Sequence, residues 1–163
     1  MAGNKKLEDL FEDTLRDVYY AERQITKALP KMAKAAQSDE LRKGFEQHLE
    51  QTEGQIERLE QVFELIGKKP RGKTCDGILG IVDEGKTIMD EFKDSDALDA
   101  GLISAAQAVE HYEIARYGAL KTWAQELGMN DAAKLLDATL SEEIATDQKL
   151  TQIAEASANL KAA

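Results

Sequence analysis

The segment LISAAQAVEHYEIARYGALKTWA, residues 102–124, decides the fold. Leu102, Ala106, Val109, Glu113, Tyr117, Leu120 and Ala124 recur at spacings of three and four. That period puts them on one face of a helix turning about 100° per residue. The face is apolar except for Glu113, with Glu110 one turn away on the same side. A carboxylate in the middle of an apolar stripe needs a partner, because burying an isolated charge costs several kcal/mol or more.

The same pattern recurs in three other long segments. The first helix should begin near Asn4, with an inward series Leu7, Phe11, Thr14, Val18, Ala21, Ile25, Ala28 and Met32. Pro30 should kink it or end its regular part, since proline removes a hydrogen bond and crowds the preceding turn. The second has Ser38 or Asp39 as cap and carries Leu41, Phe45, His48, Thr52, Ile56, Leu59, Phe63 and Ile66. It should stop at Gly67, with Pro70 beyond. The helix holding residues 102–124 should run from Ala97 to Leu127 and close at Gly128. The last should be capped by Asn130 or Asp131, with Leu136, Thr139, Leu140, Glu143, Asp147, Leu150 and Ala154 inward.

Between the second and third long helices lie a basic loop, residues 68–73, and a shorter amphipathic helix from Cys75 to Phe92. An Asp94-Ser95-Asp96 turn follows. The first two long helices, and the last two, are joined by short links that favour antiparallel hairpins. The crossover, about residues 68–95, is long. The reading is all-α: a single domain over residues 1–163, a ferritin-like antiparallel four-helix bundle whose crossover carries a short fifth helix. A shift of 91 residues aligns Glu22 with Glu113, Leu49 with Leu140 and Thr52 with Glu143, consistent with a duplicated hairpin.

Composition narrows the function. The net charge of −10 argues against wrapping a nucleic-acid backbone or an anionic membrane. Cys75 is the sole cysteine, which excludes an internal disulfide or a thiolate cluster. No apolar run approaches the roughly 20 residues of a membrane span, and the N-terminus lacks a signal core, so a cytoplasmic protein is expected.

The polar interruptions of the four stripes fall at one level: Glu22, His48 with Thr52, Glu110 with Glu113, and Glu143 with Asp147. Such a carboxylate-rich set suits iron or manganese, with imidazole as an added ligand. Without a cation, five neighbouring carboxylates could not all stay ionised. The candidate metal ligands are therefore Glu22, Glu110, Glu113, Glu143, Asp147 and His48, with Glu22 and Glu113 positioned to bridge two ions. The plain alternatives are a boundary salt bridge for Glu22 and a core hydrogen bond for His48. His111 lies about 150° from the stripe centre and should face solvent.

Tyr20-Ala21-Glu22-Arg23-Gln24, Lys27-Ala28-Leu29-Pro30-Lys31-Met32, Arg58-Leu59-Glu60-Gln61-Val62-Phe63 and Val109-Glu110-His111-Tyr112-Glu113 resemble the bacterial YciE/YciF family. The resemblance covers about residues 7 to 155. It implies a ferritin-like protein associated with stress responses, a homodimer, and kinship with rubrerythrin-type di-iron proteins. A rubrerythrin-like pattern is met by Glu22 and by Glu110-x-x-Glu113. Its two Glu-x-x-His pairs read instead Thr52-x-x-Gln55 and Glu143-x-x-Thr146. His48, Asp147, Glu50 or Glu53 would have to substitute. The expected function is an iron or manganese protein, mononuclear or dinuclear, that handles oxygen or peroxide. The alternatives are a non-enzymatic stress protein that kept the bundle with a degraded site, and, last, an iron-storage cage. The crossover helix should form the dimer contact.

Overall fold

A computed structural model describes residues 3–163. The elements in order are α1 (Leu7–Ala35), α2 (Asp39–Leu65), α3 (Asp76–Glu91), α4 (Leu98–Glu126) and α5 (Asn130–Ile153). A π-helical turn (Ala154–Ala158) and α6 (Asn159–Ala162) follow. The fold is all-α; α1 pairs with α2, α4 pairs with α5, and α3 packs on α4 and α1. The ferritin-like bundle with a helical crossover is the observed architecture.

Element boundaries follow local chemistry. Asp9 reaches back to the Lys6 N–H at 2.8 Å, so α1 starts at Leu7, three residues beyond the expected Asn4. Ser38 caps α2, accepting from the Leu41 N–H at 3.3 Å. Gly67 and Gly128 take positive φ, 68° and 72°, and end α2 and α4. Pro30 does not end α1, which continues to Ala35. Met32 and Ala33, beyond the proline, are buried. Burying a side chain such as Met32 contributes about 1.5–3 kcal/mol, which offsets much of the proline's roughly 3 kcal/mol helix cost. The last long helix also departs from expectation. Asn130 is its first helical residue and Met129 its cap, without a side-chain bond. The Met129 N–H closes α4 by bonding Ala124 O at 2.8 Å, and its side chain packs on the core, so the chain turns one residue early.

Two apolar clusters fill the bundle. One surrounds Phe11, Leu15, Phe63, Leu120 and Leu136; the other surrounds Ile25, Phe45, Ile78, Leu102 and Ile153. The polar layer lies between them along the chain of each helix: on α4, for instance, Glu110 and Glu113 fall between Leu102 and Leu120. α3 sits close on α4 at Gly101, where a Cβ would come within 2.7 Å of Ile88 Cγ2.

One buried contact locks the α1–α2 turn to α4. Asp99, only 3% exposed, accepts the backbone N–H groups of Gln37 and Ser38, each at 2.8 Å. These charge-assisted bonds satisfy donors that the short turn leaves free. Asp99→Ala should cost about 2–4 kcal/mol in urea unfolding, because it removes both bonds and strands two N–H groups. Asp99→Asn, which keeps one acceptor, should recover part of that loss.

Candidate metal centre

Each helix of the bundle delivers part of the layer. α2 presents His48, Thr52 and Gln55 on its inward face, at spacings of four and three. α4 presents Glu110 and Glu113 one turn apart, α5 presents Glu143, and α1 presents Glu22. Glu22, Glu113, Glu143, Thr52 and Gln55 are fully buried, and His48 and Glu110 nearly so.

The structure brings four of the six candidate ligands to one point. One ligand atom from each of His48, Glu110, Glu113 and Glu143 lies within 4.8 Å of the others. His48 Nε2 is 2.9 Å from Glu110 Oε1 but is not aligned to donate to it. Glu22 borders this group. Its carboxyl accepts from the Tyr117 hydroxyl and faces Glu113.

Asp147 is placed differently from the expectation. It is one-fifth exposed and turned sideways along α4, with Oδ2 3.2 Å from His111 Nε2 and Oδ1 accepting from Gln107 at 3.2 Å. His111 is exposed, as expected, yet it reaches Asp147. Glu50 and Glu53 are exposed on α2 and do not reach the layer.

The two positions that depart from the rubrerythrin-like pattern on α2 serve the carboxylates by hydrogen bonding. Thr52 donates to His48 O at 2.8 Å, turning its hydroxyl onto its own helix. Gln55 donates to Glu143 and, at 3.1 Å, to Glu142 Oε2. Arg58 then grips Glu142 through both terminal nitrogens, at 2.6 and 2.9 Å. Burial opposes ionisation of Glu142, but Arg58 and Gln55 outweigh it and hold that carboxyl below its usual value. The Gln55–Glu142–Arg58 chain braces Glu143 from behind. Glu142 was invisible to the stripe pattern because it is at the boundary and half-hidden.

The centre is short of positive charge. Among the described residues no Lys or Arg is buried with these carboxylates. Five carboxylate oxygens there have no partner: Glu22 Oε2, Glu110 Oε2, Glu143 Oε2 and both of Glu113. Two like charges about 4 Å apart repel by roughly 4 kcal/mol even at an effective dielectric of about 20. Protons must therefore replace charge whenever no cation is bound. Burial, then Glu143, pushes Glu22 up to about 7. Burial, then the neighbouring Glu143 carboxyl, pushes Glu110 up to about 12. Burial, then the Glu22 and Glu143 charges, holds Glu113 well above the usual carboxylate range. Tyr117 also stays protonated through burial and the Glu22 charge beside it, so it is a donor to Glu22.

Comparison with known proteins places the chain in a family. The model of the domain of unknown function DUF892 matches residues 6–163. The chain belongs to the DUF892 family. Protein YciF of Escherichia coli K12 is 46% identical over 159 residues, covering 97% of this chain and 96% of the relative. The crystal structure of the E. coli stress protein YciF superposes with a TM-score of 0.89 at 47% identity, covering 92% of this chain and 95% of that one. A Rhodopseudomonas palustris protein, YcfI, superposes with a TM-score of 0.89 at 49% identity, covering 93% and 97%. The resemblance in the sequence is thus a family relationship over nearly the whole DUF892 chain. Among the described residues, no helix is long and apolar enough to cross a membrane.

Proposed function

We propose that the buried layer is a carboxylate-rich site for iron or manganese, held by His48, Glu110, Glu113 and Glu143. The observation that carries this reading is the set of unpartnered carboxylate oxygens converging with an imidazole inside an apolar bundle. A donor set of oxygens with one nitrogen fits these metals better than soft ones. A dication there would neutralise the carboxylates that otherwise require protons. When bound, the metal would polarise oxygen or peroxide as a Lewis acid.

The chain's own residues then have distinct parts. Glu113, with both oxygens free, is the central ligand. Gln55 and the Arg58–Glu142 pair orient Glu143 from outside, as outer partners commonly do. Glu22 accepts from the Tyr117 hydroxyl and would be the further carboxylate available to a second ion. Asp147, engaged by His111 and Gln107, stands at the rim of the site and outside the group of four. The E. coli relative is described as a stress protein.

A second reading has a specific observation behind it. Thr52 and Gln55 occupy positions where a rubrerythrin-like pattern places Glu and His, and Gln55 hydrogen-bonds the carboxylate that remains. The R. palustris relative is described as a candidate structural protein. On that reading the bundle is a scaffold whose buried carboxyls are permanently protonated. Metal analysis of protein purified without chelator, followed by Fe(II) and Mn(II) titration, separates the two. About one ion per chain supports the metal site; no uptake of either ion supports the scaffold.

The homodimer belongs to the same proposal. Leu79 and Phe92, on and just after α3, stay 37% and 42% exposed, an apolar surface suited to a twofold contact. Sedimentation should show a dimer that Leu79→Glu with Phe92→Glu converts to monomer. A wild-type monomer would remove this element.

A further inference from the structure

A cavity of about 160 Å³ opens between α1 and α3 and runs inward to His48 and Glu110. Its walls are aliphatic and aromatic: Ile25, Leu29, Phe45, Val82, Val109 and Leu150. An apolar cavity of about 150 Å³ is enough to hold benzene, so this one admits roughly six carbon atoms. At its deep end stand two nearly fully buried polar side chains, His48 and Glu110, 4% and 1% exposed. His48 Nδ1 and Glu110 Oε2 have no partner.

The opening has the opposite character. Lys27 and Lys31, one turn apart on α1, and Lys86 on α3 line it and are exposed. None of the three forms an ion pair among the described residues. Three uncommitted lysines around one apolar opening are notable in a chain of net charge −10. They make a local positive rim on an acidic protein, which favours an anion over a cation. Lysine also keeps its charge in water while its stem lies along apolar surface.

We propose that this cavity binds a medium-chain aliphatic carboxylate of about eight carbons. The carboxylate meets Lys27, Lys31 and Lys86, and the hydrocarbon tail fills the cavity toward His48 and Glu110. The site shares those two residues with the proposed metal centre but does not require a metal, because apolar burial and the lysine rim supply recognition. The tail end would lie beside His48 and Glu110, which makes an aliphatic chain the ligand class nearest those two residues.

Calorimetric titration with octanoate tests this on metal-stripped and metal-loaded protein in parallel. Octanoate should bind once per chain with a negative heat-capacity change. Affinity should fall about fourfold for each methylene removed, on passing from octanoate through hexanoate to butanoate. The surface variant K27E/K31E/K86E should weaken octanoate at least tenfold while leaving the thermal midpoint near wild type. Val82→Phe, which fills the cavity from its half-buried wall, should weaken octanoate and leave metal uptake intact. No saturable binding at millimolar octanoate would overturn the site. Equal affinity for octyltrimethylammonium, or an unaltered affinity in the lysine variant, would overturn the anionic head. Octanoate failing while metal still loads rejects this inference alone; octanoate binding without metal uptake rejects only the metal reading.

Discussion

Glu113→Gln should abolish high-affinity metal uptake and, at the same time, stabilise the metal-free protein near pH 8. The two effects have opposite signs and one cause. Glu113 is fully buried, and neither of its oxygens has a protein partner. In the proposed site it would supply negative charge to a cation; without the cation it is a carboxyl that must stay protonated in the apolar core. Glutamine keeps the shape and removes the charge. Losing even an outer partner of a metal ligand typically costs 10–100-fold in affinity, so losing this central ligand should cost roughly 100-fold or more. Metal at about 100 times its Kd stabilises a protein by about 2.7 kcal/mol. For a chain of this size that is a rise in Tm of roughly 5–10 °C. Wild type should show this rise in Mn(II) by differential scanning calorimetry and Glu113→Gln should not. A wild-type midpoint indifferent to Fe(II) and Mn(II) would defeat the metal reading, and an unchanged rise in the variant would refute Glu113 as the central ligand.

Stripped of metal, the wild-type protein should lose stability steadily as pH rises from about 5 to 8. The sign follows from which state holds more protons. Glu22 and Glu110 have ordinary values of 4.5 and are raised in the fold to about 7 and about 12. Between those limits the folded chain keeps protons that the unfolded chain has released, so the folded state is penalised as pH increases. The stability these protons contribute is fully present below about pH 4.5. For Glu22 it is lost up to about pH 7, and for Glu110 the loss continues beyond. Each such group lowers stability by up to about 1.4 kcal/mol per pH unit inside its window. The fall from pH 5 to 8 should therefore amount to several kcal/mol, readable as a drop in the urea midpoint at constant slope. Metal should reverse the trend, since its binding displaces the same protons and tightens with pH. A flat profile in the stripped protein would show that these carboxyls release their protons as readily in the folded layer as in the unfolded chain, and would overturn the reading of a layer that needs protons or a cation.

Much of this centre was legible before any fold was known. The inward series of residues 102–124 marked Glu113 and Glu110 as intruders on an apolar face, and both are buried. Glu22, His48, Thr52 and Glu143 were found by the same periodicity and are buried too. Periodicity locates a side chain around its own helix axis, but not what the neighbouring helices present to it. Asp147 satisfies the inward pattern yet turns toward His111 and Gln107, because α4 lies close enough on that side to offer them. Gln55 looked like a lost ligand and proves to be a donor to Glu143, a role set by α5, 88 residues away. Asp99 carried no inward signal, since its partners are backbone N–H groups of a turn about 60 residues earlier.

By itself, then, the amino-acid order determined the helices, the crossover and the level at which charge enters the core. These depend on local propensity, glycine and cap chemistry, and the 3.6-residue period. Only the tertiary structure decided which four side chains share a point, which carboxylate is braced by Arg58, and that an apolar cavity with a lysine rim leads to His48. Those features depend on the rotation and separation of packed helices, which the summed burial of two apolar clusters sets and no single segment encodes.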